Sequence, residues 1–250
     1  MKIVKFLVVF FFLFNRIVVA EDLEISDPIE PVNRGVFWFN DKFDTYLGDP
    51  VTEAYDWVMP DFMQTRVRNF FRNIEYPSIL VSDLVQLEFG KAASDTGRFL
   101  INTTVGVVGV WDAADDIAGM KYRHEDFGLA LARQGMGEGP YLVLPILGPS
   151  NVRDTVGLTV DFFLNPFYWI TQSSAFDSDT DFVIATSAVS LLYLNTKARY
   201  LDINQDLKRD SVDYYLGMQS YYTQYRRGQV SKSEAENEDE TWFDDELDQE

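Results

Sequence analysis

Arg98-Phe99-Leu100-Ile101-Asn102-Thr103-Thr104-Val105-Gly106-Val107-Val108-Gly109-Val110-Trp111-Asp112 sets thirteen uncharged residues between two charges. As a helix they would reach about 20 Å, against a bilayer core of about 30 Å that needs roughly twenty residues. The stretch is therefore apolar but too short to span a membrane, and it belongs either in a core or in one leaflet. Gly106 and Gly109 present no side chain, so each either admits another backbone or marks a break between helix and loop. Asn102, Thr103 and Thr104 need polar partners, which in lipid are found on the protein interior or in a wet cavity. The segment reads as a wall with two faces.

Two further uncharged stretches lie downstream, from Phe162 to Phe176 and from Phe182 to Leu194. The first carries Phe162, Phe163, Phe167, Tyr168 and Trp169, and Tyr and Trp favour membrane interfaces. Between and around these runs the chain is rich in Asp, Glu and Arg. Three short apolar runs in such a chain suit a protein sunk partway into a leaflet, although core helices of a soluble protein read much the same.

The remaining body reads as helices. Phe37, Trp38, Phe39, Phe43, Tyr46 and Leu47 fall at mixed three and four spacing after Pro28 and Pro31. Asp61 is placed to cap a run in which Phe62, Val67, Phe70 and Phe71 alternate with Arg66, Arg68 and Arg72. Those arginines suit lipid phosphates on a membrane-surface helix, and equally the solvated face of an ordinary one. Helices are expected over 78–87 and 91–102, with Gly90 as the stop between them. After Asp112, Asp115 and Asp116 a loop is expected, holding Lys121 to Gly128. From Gly135 to Pro149 the density of Gly and Pro forbids a long regular helix, so that apolar segment must be ordered by its surroundings. Ser150 is placed to cap a short helix, Ser178 and Asp181 have capping-box spacing, and a last helix runs from about Asp206 to Arg227. With no sustained period-two alternation and no internal repeat, the fold class is all-α.

At 250 residues and 46% hydrophobic composition the chain suits one domain with a tail. The formal net charge of -19 argues against nucleic acid as a partner. Residues 1–20 place Lys2 and Lys5 before the apolar run Phe6 to Phe14 and end on Ala20, the pattern of a secretory signal peptide. Residues 21–230 form the helical domain, and residues 231–250 read as a solvated acidic tail, with ten carboxylates against one lysine. Trp242 and Phe243 within it form a weak docking signal. The sequence has no cysteine. That removes disulfides, thiolate chemistry and a lipobox, so attachment to a membrane is expected from the folded body and not from a lipoprotein anchor.

Catalytic signatures are missing. His124 is the single histidine and no Gly-x-Ser-x-Gly elbow occurs. His124, Glu125 and Asp126 are adjacent, a poor arrangement for one metal ion. Asp177, Asp179 and Asp181 imitate the start of a calcium loop, but Phe182 and Ala188 stand where that loop needs Gly and Glu. The run Gly135, Gly137, Gly139 lacks the Lys-Ser/Thr of a phosphate loop. Neither enzyme activity, cofactor nor metal is expected.

Several separated motifs, in order, resemble the MlaA/VacJ outer-membrane proteins: Asp27-Pro28-Ile29-Glu30-Pro31-Val32-Asn33-Arg34, Phe39-Asn40, and Phe99-Leu100-Ile101-Asn102-Thr103-Thr104-Val105-Gly106. Glu125-Asp126-Phe127-Gly128, Gly139-Pro140-Tyr141-Leu142-Val143-Leu144-Pro145 and Gly148-Pro149-Ser150-Asn151-Val152-Arg153-Asp154 continue the match, from about Asp27 to Tyr222. The resemblance implies a helical ring within the inner leaflet of a Gram-negative outer membrane, around an amphipathic channel. Phospholipids astray in the outer leaflet would enter it and pass to a periplasmic lipid carrier, and through that to an inner-membrane ABC complex. Trimeric porins are the implied neighbours. Carried over by motif, Asn102, Thr103, Thr104 and Gly106 fall to the channel. Glu125, Asp126, Phe127, Gly128, Gly139, Pro140, Tyr141, Pro145, Gly148 and Arg153 fall to its rim and loop. The other classes are a soluble periplasmic binder of hydrophobic ligands and a lipid-modifying enzyme using His124.

Overall fold

The computed structural model describes residues 25–172 and 178–232. The signal-peptide reading, nearly all of the acidic tail, Trp242, Phe243 and Asp177 lie outside these residues.

Proline and small polar caps set most helix starts. Pro31, Pro50 and Pro77 sit in the first turns of α1 (Glu30–Phe43), α2 (Asp49–Val58) and α4 (Tyr76–Val85), where a missing N–H costs nothing. A π-helical turn, Asp44–Gly48, joins α1 to α2. Pro60 precedes α3 (Asp61–Ile74), so Asp61 is the first helical residue and not the cap expected of it. Leu87, with φ 61°, makes the turn between α4 and α5 (Phe89–Thr104). Gly90 lies inside the first turn of α5, so the expected stop is three residues earlier.

The structure places α6 (Ala113–Ala118) ahead of the expected loop and the start of α7 (Phe127–Arg133) within its end. Both are short helices opened by a carboxylate: Asp112 accepts the Asp115 N–H at 3.3 Å, and Asp126 that of Leu129 at 2.8 Å. Asn151, not Ser150, caps α8 (Val152–Leu164), accepting the Asp154 N–H at 2.7 Å. Then come α9 (Pro166–Gln172), α10 (Ser178–Asp210) and α11 (Tyr214–Lys232). The expected last helix is thus divided: residues 206–210 complete α10, and Asp213 opens α11 by accepting the Tyr215 N–H at 3.0 Å.

The all-α reading holds apart from one hairpin. β1 (Tyr141–Leu144) pairs antiparallel with β2 (Gly148–Asn151), Tyr141 opposite Asn151. Four residues are too few for alternation to stand out, yet Tyr141 and Val143 point into the core and pack with Tyr215, Phe37 and Tyr222. What orders this Gly- and Pro-rich segment is α1. Asn33 and Asn40, seven apart and so on one helix face, both clamp backbone in the hairpin. Asn33 donates to the Tyr141 carbonyl at 2.9 Å and accepts the Val143 N–H at 2.9 Å. Asn40 does the same for the Leu144 carbonyl and the Ile146 N–H, at 2.9 and 2.8 Å. Asn33→Ala leaves buried backbone groups without partners and is expected to cost about 2 kcal/mol in a denaturant melt. An unchanged midpoint would show that the clamp contributes nothing.

Packing closes a circuit. α1 lies on β1, β1 pairs with β2, β2 meets α8, α8 meets α9, α9 meets α10, α10 packs on α2, and α2 returns through the π turn to α1. Lys197 of α10 fixes that last junction, bonding Asp44 of the π turn and, at 2.9 Å, Asp49. α4 packs against α5, α7 and α8, α7 packs against α8, and α11 crosses from α10 to α7 and β2. Among the described residues no helix is long and apolar enough to cross a membrane.

Candidate functional site

The stretch 98–112 stops being a helix after Thr104 and turns back through 105–111. Both roles open to Gly106 are realised there. A Cβ on it would stand 2.2 Å from the Trp111 carbonyl oxygen and 2.5 Å from that of Asn102, so only glycine lets the loop fold onto the helix end. Asn102 is buried and donates to Asp112 at 2.9 Å while accepting the Ala114 N–H at 2.8 Å, tying α5 to the start of α6. Thr103 accepts from Asn73 of α3 at 3.0 Å, and the exposed Thr104 hydroxyl bonds back to the Leu100 carbonyl at 2.6 Å. Val105, Val107, Val108 and Val110 of the loop are exposed. Asn102 and Thr103 therefore face inward here, and the valines outward.

Beside this wall lies a narrow, open cleft between α3, α4, α5 and the 112–122 segment; Asn102, Arg98 and Asp112 belong to its lining. Arg98 donates to Asp112 at 2.7 Å and to the Met120 carbonyl.

The motif Glu125-Asp126-Phe127-Gly128 and the segment from Gly139 to Arg153 converge on a second place. Arg226 of α11 binds Asp126 through both terminal nitrogens, at 2.7 and 3.0 Å, and Asp154 at 2.9 and 3.0 Å. Tyr222 donates to Asp154 at 2.6 Å, and the buried Arg153 donates to it at 2.9 Å. Around that node α7 and α8 touch through glycine: a Cβ on Gly157 would stand 2.3 Å from the Gly128 nitrogen. The Phe127 N–H points at Asp161, 3.2 Å away.

Gly139 and Gly148 take the left-handed backbone, at φ 67° and 85°. The Pro140 carbonyl accepts the Val152 N–H at 3.1 Å, the Pro145 carbonyl accepts that of Leu147 at 2.8 Å, and Tyr141 is core. Glu125 enters a third node, buried, receiving Arg123 at 2.7 Å, Gln86 at 3.0 Å and Arg133. Arg123 also holds Asp83 and Asp95.

Sequence reasoning placed most of these residues in motifs but missed Arg226, Gly157, Arg123 and Asp83. The partners that join them to other elements lie tens of residues away, and no local pattern marks them.

The electrostatics follow from this burial. Burial opposes ionisation of Asp126 and Asp154, but hydrogen bonds from His124 and Arg226 hold Asp126 well below the usual carboxylate range, and Arg226 with Arg153 lowers Asp154. Burial likewise opposes the His124 imidazolium, yet the Asp126 carboxylate raises its pKa. Asp83, wholly buried with one oxygen lacking a hydrogen-bond partner, is pushed up to about 6 by burial despite Arg123. Asp161 is pushed up to about 6 by burial and by the Asp126 charge.

Asp83 and Asp161 keep a proton in the folded state where the unfolded chain has lost it. Their contribution to stability is therefore largest at low pH and falls as pH rises through 6, by about 1.4 kcal/mol per group between about pH 5 and 7. The melting midpoint is expected to be higher at pH 5 than at pH 7, with the difference reduced in Asp83→Asn. Equal midpoints in the wild type would contradict it. The depressed Asp126 and Asp154 lose their contribution only at lower pH, outside this window.

The family model described as MlaA lipoprotein matches residues 25–229. The chain belongs to the MlaA family. An uncharacterized protein of Rickettsia bellii is 35% identical over 208 residues, 83% of this chain and 78% of the relative. The intermembrane phospholipid transport system lipoprotein MlaA of Escherichia coli K12 is 28% identical over 204 residues, 80% and 77% of the two chains. A solved structure reported as the structural basis for maintenance of bacterial outer membrane lipid asymmetry matches with a TM-score of 0.68 and 27% identity, over 82% of this chain and 99% of its own.

The MlaA motifs used for the resemblance are the ones that build the Asn33/Asn40 clamp, the Asn102 wall and the Arg226 node. MlaA relatives are described as lipoproteins, so the expectation of attachment without a lipoprotein anchor is not borne out by the family.

Proposed function

We propose that this protein carries phospholipids out of the outer leaflet of a Gram-negative outer membrane and so maintains lipid asymmetry. It sits in the periplasmic-facing leaflet, passes lipid along an amphipathic channel, and hands it to a periplasmic carrier that serves an inner-membrane ABC complex. A trimeric porin is its neighbour in the membrane.

The observation that carries this reading is an inverted distribution of polarity. Among the described residues, twenty polar or charged side chains are buried against twelve apolar ones. Meanwhile Trp57 is 88% exposed, Phe62 64% and Trp38 62%. A water-soluble domain places such aromatics inside; a protein surrounded by acyl chains has reason to do the reverse. A soluble binder of hydrophobic ligands would need its apolar surface around an internal cavity, and here Trp57, Phe62 and Trp38 face outward. In this reading Asn102, Thr103 and Thr104 line the polar side of the path, and Gly106 fixes its bend. The segments Glu125 to Gly128 and Gly139 to Arg153 shape the rim through the Arg226 node. His124 serves as a partner of Asp126, and no catalytic role is assigned to it.

The test is the outer-leaflet phospholipid content of intact cells lacking the gene. Accumulation on deletion, reversed by the wild-type gene, is expected. An unchanged outer leaflet would remove the transport reading, and recovery of the protein in the periplasmic fraction without detergent would favour a soluble binder.

A further inference from the structure

The wall of the cleft combines Asn69, Arg72, Tyr76, Arg98, Asp112 and Tyr122. Its charged groups differ in what already engages them. Asp112 is held by Arg98 at 2.7 Å and Asn102 at 2.9 Å. Asp95, at the edge of the same cleft, is held by Arg123 at 2.7 Å.

Arg72 has no such partner among the described residues. Its guanidinium lies over the Tyr122 ring, 4.3 Å from the centroid. Tyr122 is fixed in turn by donating its hydroxyl to Glu75 at 3.1 Å. In a chain of 40 acidic and 21 basic residues, a half-buried arginine without a carboxylate needs a reason. Stacking uses the face of the guanidinium and leaves its in-plane N–H donors free to form a fork. Asn69, three residues earlier on α3 and so on the same face, also makes no side-chain hydrogen bond among the described residues and adds an amide donor. Free planar donors in a cleft whose carboxylates are already neutralised suit a tetrahedral oxyanion, which arginine binds through paired hydrogen bonds.

We propose that Arg72 and Asn69 form a binding site for a phosphate ester, the headgroup phosphate of a phospholipid in transit. The chemistry of the ligand comes from the cleft; its source as a lipid rests on the transport reading above. Phe99, stacked on Tyr76 with ring centroids 4.2 Å apart, gives the same cleft an apolar flank for the glycerol end of the ligand.

The experiment is calorimetric titration of the detergent-solubilised full chain with dihexanoyl phosphatidylglycerol, dihexanoylglycerol and inorganic phosphate. The wild type is expected to bind the phospholipid about tenfold tighter than the diacylglycerol, the scale of one charge-assisted contact. Arg72→Gln should abolish that preference and Arg72→Lys should keep part of it, with the thermal melt of each variant close to wild type. Should Arg72→Gln fail to fold, Asn69→Leu is expected to lower the preference by about threefold, by removing a neutral donor.

A preference untouched by Arg72→Gln, or an equal loss of diacylglycerol binding, overturns the site. Inorganic phosphate binding as tightly as the phospholipid assigns the cleft to free phosphate and overturns the headgroup source. Arg72-dependent phospholipid binding together with an unchanged outer leaflet in deleted cells overturns the transport reading and leaves the site standing.

Discussion

Arg226→Met is expected to destabilise the fold by about 3–5 kcal/mol, the cost of leaving buried carboxylates without their cation. Among the described residues Arg226 is the only group that binds Asp126 and Asp154 together, at 2.7–3.0 Å through four hydrogen bonds. Without it both carboxylates lose a main part of what lowers their pKa, His124 and Arg153 remaining, so the variant should regain stability as pH falls and they take up protons. That is opposite to the loss the wild type suffers when these two groups titrate at low pH. Denaturant melts across pH measure both effects. The triple variant Asp126→Asn, Asp154→Asn, Arg226→Met removes all three charges and should recover part of the loss. If Arg226→Met melts like the wild type, the node is not what joins α11 to α7 and α8.

Gly157→Val is expected to cost about 3 kcal/mol, at the upper end for overpacking, because the obstacle is backbone. A Cβ at Gly157 meets the Gly128 nitrogen at 2.3 Å and the Gly128 Cα at 2.6 Å, so α7 and α8 must separate to admit even a methyl group. Separation also pulls Asp126 from Arg226, which couples this change to the one above. Gly137→Ala is the control: nothing lies within 4 Å of its added Cβ, and a change within about 0.5 kcal/mol is expected. Equal melting of the two variants would show that the crossing tolerates expansion. Loss of protein from the membrane fraction is the cellular readout for Gly157→Val.

Both predictions fall on residues the sequence did not single out, and the reason is sequence distance. Arg226 is 100 residues from Asp126 and 72 from Asp154. On α11 it is one cation among several, with Arg227 beside it pairing instead with Glu138. Gly157 sits inside a helix, where a glycine ordinarily reads as a small penalty and not as a crossing point. Asn33 and Asn40 were legible as parts of motifs, and the fold puts both on one face of α1. That the face meets a hairpin was not legible, because four-residue strands broken by Gly and Pro carry too little alternation. The division of the expected last helix at Ser211 was hidden for a similar reason. No Gly or Pro marks it, and the break is made by Asp213, whose carboxylate serves the Tyr215 N–H and, through Arg34 at 3.0 Å, α1.

Local chemistry was enough for the class of the fold. Apolar runs too short to span a bilayer, proline at helix starts, carboxylates and amides at caps, and the breaker-dense segment 135–149 all act within a few residues and can be read in one dimension. So could the family, through motifs whose order survives in the chain. Tertiary structure alone decided which polar groups are buried together and which aromatics face outward. Those are outcomes of contacts between residues far apart in the chain, where a carboxylate is depressed by one arginine and another, Asp83, is raised by burial in spite of its own. The same sequence signal, a charged residue beside an apolar one, thus became a buried node at Arg226 and a free donor at Arg72, because only the folded chain determines which charges have been brought within reach of each other.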